Sequence, residues 1–394
     1  MFNFTTTPPL TLYLHIPWCV RKCPYCDFNS HEVRDGIPER DYVSALLADL
    51  EQELPAVWGR PVDSVFFGGG TPSLFSPEGI GRLVGELRAR LVLQPGAEIT
   101  LEANPGSVDR VRFEGFRAAG INRLSIGVQS FQTGLLERIG RIHDRREAIR
   151  AAEAAHAAGF DNFNLDLMYG LPGQTEAQAL ADLRIAVDLE PAHVSWYELT
   201  IEPNTRFYRH PPPLPDDALL WTMQKTGGAL LARRGYARYE VSAHARTGRE
   251  CRHNLNYWRF GDYLGIGAGA HGKLTDTAHQ CIRRSAKLRH PRDYLAARGT
   301  GVYHSAQQTL AAQDVVLEFL MNALRLERGF RADEYVARTG LPLASLEPGL
   351  GRALDTGLLV STDDRWCTSE QGQRYLNDLL QYWIPEQDSD ARTG

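Results

Sequence analysis

Short apolar strands alternate with amphipathic helices through the first half of the chain. β-Branched and aromatic residues are concentrated at residues 10–16, 64–67, 99–102, 124–128, 163–168 and 193–199. The intervening segments carry apolar residues at helical spacing, at residues 41–54, 80–92, 108–119, 145–158 and 176–189. A strand–helix unit repeated about six times requires right-handed parallel crossovers. The pattern therefore predicts an α/β fold, either a doubly wound sheet or a whole or partial β/α barrel.

Chemically unusual residues follow the carboxyl ends of these predicted strands. Three cysteines follow the first strand, Gly68-Gly69-Gly70-Thr71 the second, Glu102 the third and Gln129 the fourth, while Asp166 lies within the fifth. In parallel α/β folds the functional face lies at the carboxyl ends of the strands. Five contributing strands fit a barrel mouth better than a single crevice, so we expect a partial or open (β/α) barrel over residues 1–210.

The rest of the chain predicts two further parts. A proline-rich connection at residues 211–215 precedes a helix at 217–234 and strands at 237–243 and 263–268, so residues 211–302 are expected to extend the sheet. Residues 303–394 predict a C-terminal α-helical, winged-helix-like domain. Its elements are helices at 314–326, 332–338 and 343–356, a hairpin at 358–367 and a frayed tail at 386–394.

Charge and hydropathy exclude several functional classes. The chain has 43 basic and 48 acidic residues, a net charge of −5, which fits neither a nucleic-acid polycation nor an acidic disordered chain. Winged-helix domains are associated with DNA binding, but residues 305–394 hold 8 Arg, no Lys and 14 acidic residues, so we expect no nucleic-acid partner. No apolar run approaches the roughly 18 residues needed for a transmembrane segment, and residues 1–10 lack a signal-peptide pattern. A cytoplasmic protein is expected.

The six cysteines are unevenly distributed. Cys19, Cys23 and Cys26 form a CxxxCxxC loop, and prolines at 17 and 24 prevent this loop from being a regular helix. Clustered cysteines in a reducing compartment indicate metal binding or catalysis. Three thiolates without a fourth nearby suit a [4Fe-4S] cluster in which one iron has no protein ligand.

Structural zinc is the alternative interpretation of this loop. In that case His15 or His31 would complete the coordination of the ion. Zinc ribbons normally carry a second cysteine pair at similar spacing, and the sequence has none.

The cysteine loop after the first strand resembles that of the radical S-adenosylmethionine superfamily. The surrounding segments are similar to those of one group within it, which contains oxygen-independent coproporphyrinogen III oxidase and the heme chaperone HemW. The resemblance covers residues 10–330 and rests on YLHIP at 13–17, CDFNS at 26–30, FFGGGTP at 66–72, EANP at 102–105 and DLMYGLPG at 166–173.

This resemblance implies that the open iron of the cluster chelates S-adenosylmethionine. The positions that match contacts to one or two S-adenosylmethionine molecules are Tyr13, Tyr25, Gly69, Gly70, Thr71, Glu102, Gln129, Arg141 and Asp166. Glycines permit close backbone approach to the methionine end, and carboxylates suit ammonium or ribose hydroxyls. Local explanations also exist: a turn for the glycines, a helix cap for Glu102 and a surface ion pair for Arg141.

Three features distinguish the oxidase from the chaperone within this group. The oxidase motif has a fourth cysteine two positions after the third, where this chain has Phe28. The oxidase also has a long extension before its cysteines, whereas 18 residues precede Cys19 here. Finally, the resemblance to the chaperone branch includes its heme-associated HNxxYW signature, which is present as His253, Asn254, Tyr257 and Trp258.

The chemistry of this signature suits heme. Imidazole ligates heme iron axially, and aromatic rings offer flat apolar area to the macrocycle. His253 is the candidate ligand, but the sequence does not rank it above Cys251, His244 or His271. The arginines at 246, 249 and 252 are candidates for pairing with propionates or for a solvated basic turn.

The resemblance thus implies a heme chaperone without coproporphyrinogen oxidase activity. It would bind one heme, carry a [4Fe-4S] cluster and S-adenosylmethionine, and deliver heme to apo-hemoproteins such as membrane-bound respiratory enzymes. A homodimer is left open, and no catalytic residue is assigned. The alternatives are a radical oxidase acting on coproporphyrinogen III and a zinc-stabilised regulatory protein.

Overall fold

A computed structural model describes residues 1–384 of the chain. Its strands are β1 (Leu10–Ile16), β2 (Trp18–Cys19), β3 (His31–Glu32), β4 (Pro61–Gly69), β5 (Val92–Ala103), β6 (Arg123–Gln129), β7 (Phe163–Tyr169), β8 (His193–Glu198), β9 (Ala237–Glu240), β10 (Ala243–Ala245), β11 (Asp262–Ile266), β12 (His271–Asp276), β13 (Cys281–Lys287), β14 (His304–Thr309), β15 (Phe330–Arg331), β16 (Leu359–Thr362) and β17 (Arg365–Thr368).

Helices occupy most of the segments between these strands. They are α1 (Glu39–Val57), α2 (Pro77–Arg90), α3 (Arg110–Ala118), α4 (Thr133–Arg138), α5 (Arg145–Ala157), α6 (Glu176–Asp188), α7 (Arg206–Arg209), α8 (Asp217–Arg233), α9 (Arg252–Trp258), α10 (Pro291–Thr300), α11 (Ala312–Ala323), α12 (Ala332–Thr339), α13 (Gly349–Asp355), α14 (Glu370–Arg374) and α15 (Leu376–Leu380).

Twelve strands form one open sheet in the order β14-β13-β12-β11-β1-β4-β5-β6-β7-β8-β10-β9. The seven strands from β11 to β8 in this order are parallel, and both edges continue with antiparallel strands. Within residues 1–384 the edge strands β14 and β9 do not pair with each other. The sheet is therefore the open form of the predicted β/α architecture.

The two faces of the sheet carry different residues. In β1, Leu10, Leu12, Leu14 and Ile16 belong to the main apolar core, which they share with residues of α1, α2, α5 and α6. The alternate residues of a strand point to the opposite face. We call this opposite face the inner face; besides Tyr13 and His15 it carries polar residues of β5, β6 and β7.

Local sequence signals explain where several helices begin. Asp144 and Glu147 form a capping box at α5, and Thr175 and Gln178 form another at α6. Ser76 caps α2, with proline at the first helical position. Each cap satisfies backbone N–H groups that lack partners within the helix. The predicted helices of the first half are all present, with ends shifted by a few residues.

One predicted helix is wrong. Residues 343–356 form a 3₁₀ turn, Leu343–Leu346, and the separate helix α13. Pro348 stands between them and has no N–H to donate, and it also disfavours helical backbone at the preceding residue. The helical spacing of apolar residues thus continues across Pro348, where the helix itself is interrupted.

The second part of the chain extends both edges of the sheet. Strands β9 and β10 continue it beyond β8, whereas β11 lies beside β1 and leads into β12 and β13. The single strand predicted at 237–243 is divided between β9 and β10, which pair antiparallel. Strand β14 pairs with β13, so the main sheet continues past residue 303, the predicted start of the C-terminal domain.

The C-terminal part has an apolar core of its own. Helices α11 to α13 pack around Phe319, Leu320 and Tyr335, and Phe4 from the chain start joins this core. Strands β16 and β17 form the predicted hairpin, with positive φ at Asp363 and Asp364, as a type I′ turn requires. The tail predicted at 386–394 lies outside the described residues. Among the described helices, none has the length and apolar character to cross a bilayer.

Candidate functional site

The cysteine loop lies at the carboxyl end of β1 and is anchored at both of its ends. Strand β2 pairs with β3, which brings Trp18 opposite His31 and Cys19 opposite Glu32. The amide of Gly70 donates to the Ile16 carbonyl at 2.8 Å, so the glycine turn after β4 lies directly beside the start of the loop. The loop is therefore held against the mouth of the open barrel.

Each thiol of the loop has a different polar neighbour. The Thr71 hydroxyl donates to Cys19 Sγ at 3.6 Å, an Arg141 guanidinium nitrogen lies 3.8 Å from Cys23 Sγ, and Ser30 Oγ lies 3.8 Å from Cys26 Sγ. All three cysteines are half-buried. Burial raises the pKa of the Cys19 and Cys26 thiols, so binding metal would release their protons.

The donor set fits an iron–sulfur cluster better than a zinc ion. Among residues 1–384, no three Cys, His, Asp or Glu side chains are arranged to hold a single metal ion. His15 also has no free ring nitrogen, because Nε2 bonds the Asn29 carbonyl at 2.8 Å and Nδ1 bonds the Tyr13 hydroxyl at 3.0 Å. Three thiols on one loop match the ligands of a [4Fe-4S] cluster with an open iron.

A chain of hydrogen bonds links two of the thiols from behind. Arg141 donates to Asn104 Oδ1 at 2.6 Å, and the Asn104 amide donates to Thr71 Oγ1 at 2.7 Å. Arg141 and Thr71 in turn contact Cys23 and Cys19. The surface ion pair considered for Arg141 does not form among the described residues. Asn104 was not among the predicted site residues, although it lies in the EANP segment.

Close packing within the protein explains why the turn after β4 consists of glycines. Gly69 has φ +118°, and a Cβ there would lie 2.7 Å from the His15 ring. A Cβ on Gly70 would lie 2.5 Å from the Trp18 carbonyl oxygen. Both positions therefore require glycine for the turn to pack against the cysteine loop.

Two carboxyl groups lie on the inner face near the mouth. Asp166 accepts hydrogen bonds from Ser125 at 3.0 Å and Asn164 at 2.8 Å, while Glu102 accepts one from the Gly69 amide at 3.0 Å. Burial, together with the nearby charge of Asp166, raises the pKa of Glu102 to about 8. Burial raises the pKa of Asp166 as well. A cationic ligand at this place would favour the ionised form of both groups.

Glu102 is expected to make the cluster-free protein less stable as the pH rises. Its pKa is about 8 in the folded state and about 4.3 in an unfolded chain. The folded protein thus retains a proton that the unfolded chain has released, and the stabilisation present below about pH 4.3 is lost towards pH 8. Relative to Glu102→Gln, the wild-type free energy of unfolding should fall across this interval in urea titrations at stepped pH. Parallel curves for the two proteins would contradict the shifted pKa, and Asp166→Asn should move the wild-type change to lower pH.

The remaining predicted S-adenosylmethionine contacts are spread around the same mouth. Tyr13 lies on the inner face of β1, and Tyr25 packs beside Phe207 with ring centroids 6.5 Å apart. Gln129 ends β6 with φ +67°, and its Oε1 accepts a hydrogen bond from the Tyr197 hydroxyl at 2.6 Å. Tyr197 was missed in the sequence, because nothing along the chain signals that β6 and β8 lie on either side of β7 in the sheet.

A cavity of about 410 Å³ opens at this mouth. It is bounded by the cysteine loop at Asp27 and Phe28, by Glu102 and Gly69, and by residues of the β11–β13 edge. Its volume lies within the roughly 300–1,000 Å³ of ordinary small-molecule sites. The predicted S-adenosylmethionine residues Tyr13, Gly69 and Glu102 are part of its wall.

The HNxxYW signature forms the short helix α9, which packs on the inner face. His253 is 2% exposed. Its Nδ1 lies 3.0 Å from Ser64 Oγ in a hydrogen bond, its backbone amide donates to Glu98, and its Nε2 has no partner among the described residues. Burial lowers the pKa of His253 to about 3, so the ring is neutral. Its role as an axial ligand stays a prediction.

The two aromatic residues of the signature face different surroundings. The Tyr257 ring lies 4.3 Å from that of Tyr263, and both belong to the wall of the mouth cavity. Trp258 instead lies under the Arg325 guanidinium at 4.4 Å and faces the C-terminal domain across another cleft. Asn254 is half-buried on the same helix. The side chains of Tyr257 and Trp258 thus line different cavities.

The other residues that the sequence offers as heme contacts also lie apart from one another in the fold. Cys251 is fully buried, with its pKa raised to about 12 by burial, and His244 is buried with no hydrogen bond to either ring nitrogen among the described residues. His271 is exposed and lies in the wall of the mouth cavity. The arginines at 246, 249 and 252 contact Tyr236, Asp161 and the Gly96 carbonyl, away from this cavity.

Comparisons with known proteins identify the family of the chain. A family profile described as the radical SAM superfamily matches residues 13–186, and one described as the HemN C-terminal domain matches residues 310–375. The protein named heme chaperone HemW from Escherichia coli is 50% identical over 379 residues, which cover 96% of this chain and 99% of that protein. Proteins of the same name from Haemophilus influenzae and Bacillus subtilis are 48% and 31% identical, with 96% and 95% of this chain and 99% of each relative covered.

A solved structure shows the same fold. Coproporphyrinogen III oxidase (HemN) from Escherichia coli, described as a radical SAM enzyme, superposes with a TM-score of 0.80. The match covers 96% of this chain and 90% of the oxidase, at 22% sequence identity. This likeness confirms the predicted architecture, an open β/α sheet followed by a helical C-terminal domain.

Proposed function

Because the chain belongs to the family of the heme chaperone HemW, we propose that it binds heme and delivers it to apo-hemoproteins. One observation carries this function: relatives named heme chaperone HemW align with this chain over nearly its whole length, at 50%, 48% and 31% identity. The mouth cavity of about 410 Å³ has a wall of aromatic rings from Tyr13, Tyr257 and Tyr263, beside polar side chains that include Asp27, Asn29 and Glu102. At the loop edge of this cavity stands Phe28, where the similar oxidase motif has its fourth cysteine.

Cys19, Cys23 and Cys26 would hold a [4Fe-4S] cluster. When bound, such a cluster supplies one-electron chemistry and an open iron for S-adenosylmethionine. The Thr71 hydroxyl donates a hydrogen bond to the Cys19 sulfur, and the Arg141 guanidinium places positive charge beside the Cys23 sulfur. Both contacts stabilise thiolates and would raise the reduction potential of a bound cluster. These two side chains thus tune the cluster, and Asn104 orients them.

The acidic pair on the inner face would bind the cationic parts of S-adenosylmethionine. Glu102 is held by the Gly69 amide, and Asp166 by Ser125 and Asn164, so neither carboxyl group needs to reorganise on binding. Gly69, Gly70 and Thr71 would offer backbone at the methionine end, while Tyr13, Tyr25, Gln129 and Arg141 surround the rest. The single contacts assigned to these side chains stay predictions.

The acceptors and the location of the protein are part of the same proposal. Membrane-bound respiratory enzymes are the proposed acceptors, and the C-terminal domain, with its net charge of −6 over residues 305–394, is the proposed contact surface. A cytoplasmic location suits the six cysteines, because none forms a disulfide within the described residues. A homodimer stays a prediction, which mass measurement of the reconstituted protein in solution would check.

Heme titration followed by transfer tests the chaperone function. We expect the purified chain to bind one heme with a saturable Soret change, and then to restore the spectrum of a heme-free b-type cytochrome faster than free heme does. Anaerobic incubation of the reconstituted protein with coproporphyrinogen III, reductant and S-adenosylmethionine should yield no vinyl product. Vinyl product over many turnovers, or absence of heme binding, would reject the chaperone function; the first result would identify a radical oxidase.

A further inference from the structure

We propose that the cleft between α9 and the C-terminal domain binds a porphyrin by its propionate carboxylates. This inference rests on the proposed heme-binding function and deepens it by naming the surface and the chemistry of recognition. The cleft has a volume of about 420 Å³ and shares no wall residue with the mouth cavity, so S-adenosylmethionine in the mouth would leave it free. We call it the arginine cleft, because its wall includes Arg238, Arg259, Arg328, Arg338 and Arg365.

The wall of the arginine cleft carries more positive than negative charge. Its five arginines face three glutamates, Glu250, Glu327 and Glu334. Two of these glutamates already have partners, since Glu327 pairs with Arg238 at 2.6 Å and Glu334 with Arg365 at 3.4 Å. The excess of two positive charges matches the two propionate carboxylates of a heme, although the C-terminal domain as a whole is acidic.

The other three arginines of the cleft have no carboxylate partner. Among residues 1–384, the guanidinium groups of Arg259, Arg328 and Arg338 form neither a salt bridge nor a hydrogen bond. Arg338 is half-buried, and burial together with the charge of Arg259 lowers its pKa. The carboxylates of Asp262 and Glu334 lie beyond salt-bridge distance and do not offset this effect. A carboxylate ligand would supply the missing counter-ion and could bind a guanidinium through two hydrogen bonds.

Apolar and aromatic side chains form the rest of the wall. Trp258 and Leu255 of α9 are half-buried there, and Phe319 and Phe330 belong to both the cleft and the C-terminal core. The Trp258 Nε1–H is enclosed and has no hydrogen-bond partner within residues 1–384. Flat apolar surface beside free guanidinium groups suits a ligand with a planar apolar body and carboxylates at its edge.

The cleft offers no evident ligand for iron. In the described part of the chain its wall contains no histidine, cysteine or methionine. Its one tyrosine, Tyr239, already bonds His193 Nε2 at 2.8 Å and the Cys251 amide at 3.3 Å through its hydroxyl. Recognition in the cleft therefore depends on the carboxylates and the flat body, and a porphyrin without iron should bind as heme does.

Titration of the full-length protein with three porphyrins tests this mode of recognition. The probes are ferric heme, metal-free protoporphyrin IX and its dimethyl ester, in which both carboxylates are neutral. Quenching of protein fluorescence and the porphyrin absorbance report binding. We expect protoporphyrin IX to bind within about threefold of heme and the dimethyl ester about tenfold or more weakly. In the reconstituted protein, excess S-adenosylmethionine should not displace the porphyrin.

Arginine variants separate ligand recognition from a structural role. Arg338→Gln should bind protoporphyrin IX about tenfold more weakly, but its affinity for the dimethyl ester should equal that of the wild type. Because Arg338 has no carboxylate partner within residues 1–384, the melting temperature should stay unchanged or rise, whereas loss of a structural contact would lower it. Arg259→Gln, at an exposed position, is the second variant and should show the same selective loss. Arg184→Gln is the matched control, because Arg184 is an exposed arginine of α6 outside the cleft.

Four results would overturn the assignment of the arginine cleft. They are wild-type porphyrin affinity in both cleft variants, equal binding of the dimethyl ester, displacement by S-adenosylmethionine, and heme binding without binding of protoporphyrin IX. The last result would show recognition through the iron and would leave the proposed function standing. Wild-type protein that binds neither heme nor protoporphyrin IX would instead reject the proposed function itself, so the two failures are distinguishable.

Discussion

Replacing Cys23 by serine is expected to remove the iron–sulfur cluster while leaving the fold intact. The three thiols come from one loop, and a cluster that loses one of three protein ligands loses most of its affinity. Cys23 is half-buried and contacts Arg141, and serine at this position keeps the size and polarity of the side chain. After anaerobic reconstitution, iron and sulfide content and the visible charge-transfer absorption should all fall to background.

The controls are cysteines that lie elsewhere in the fold. Cys281 begins β13 and Cys367 lies in β17, and both are half-buried. Cys281→Ser and Cys367→Ser should therefore reconstitute to wild-type iron content. A Cys23→Ser protein with full iron content would show that the loop does not supply this ligand. Equal loss in the control variants would assign the effect to general damage.

Replacing Lys287 by methionine is expected to destabilise the protein by about 3–5 kcal/mol, as breaking a buried ion pair from one side does. Lys287 is 1% exposed, and its ammonium lies 2.6 Å from Asp49 Oδ1 and also contacts Glu53. Without it, Asp49 would be a buried carboxylate that has lost its cation. The free energy of unfolding from urea denaturation of the cluster-free protein measures the effect.

A surface ion pair provides the matched comparison. Lys225 pairs with Glu370, and both side chains are more than half exposed, so Lys225→Met should change stability by about 0–1 kcal/mol. An equally small effect at Lys287 would contradict the buried pair. The pair also holds a structural junction, because Asp49 accepts hydrogen bonds from the Tyr294 hydroxyl and the Gly267 amide. These bonds tie α1 to α10 and to the β11–β12 turn, which borders the mouth cavity at Gly269.

Much of the fold follows from local sequence. Alternating apolar residues in β1 and the caps at Asp144 and Thr175 act over a few residues, and their effect does not depend on distant parts of the chain. The helix predicted at 343–356 failed where a local signal, Pro348, outweighs the spacing of apolar residues. The antiparallel edge formed by β12, β13 and β14 was not predicted, because its strands contain few apolar residues and their pairing depends on distant partners.

The candidate site also combines residues that the sequence predicts with residues that only the fold brings together. The loop with Cys19, Cys23 and Cys26 is contiguous, so its chemistry can be read directly from spacing. Asn104 and Tyr197 join the site only because the folded sheet brings them there, Asn104 to Arg141, 37 residues away, and Tyr197 to Gln129, 68 residues away. Spacing along the chain carries no information about such pairs.

The sequence by itself determined the strand–helix repeat, the three-cysteine loop and the family, because each rests on contiguous residues. Only the tertiary structure decided which histidines face the mouth. His253 stands in a recognisable motif, yet its position depends on Ser64, which is 189 residues away. His271 stands in no motif, yet the pairing of β11 with β1 and β12 brings it to the cavity. Burial is a property of the packed chain, so spacing along the sequence cannot show which imidazole is buried and which is exposed.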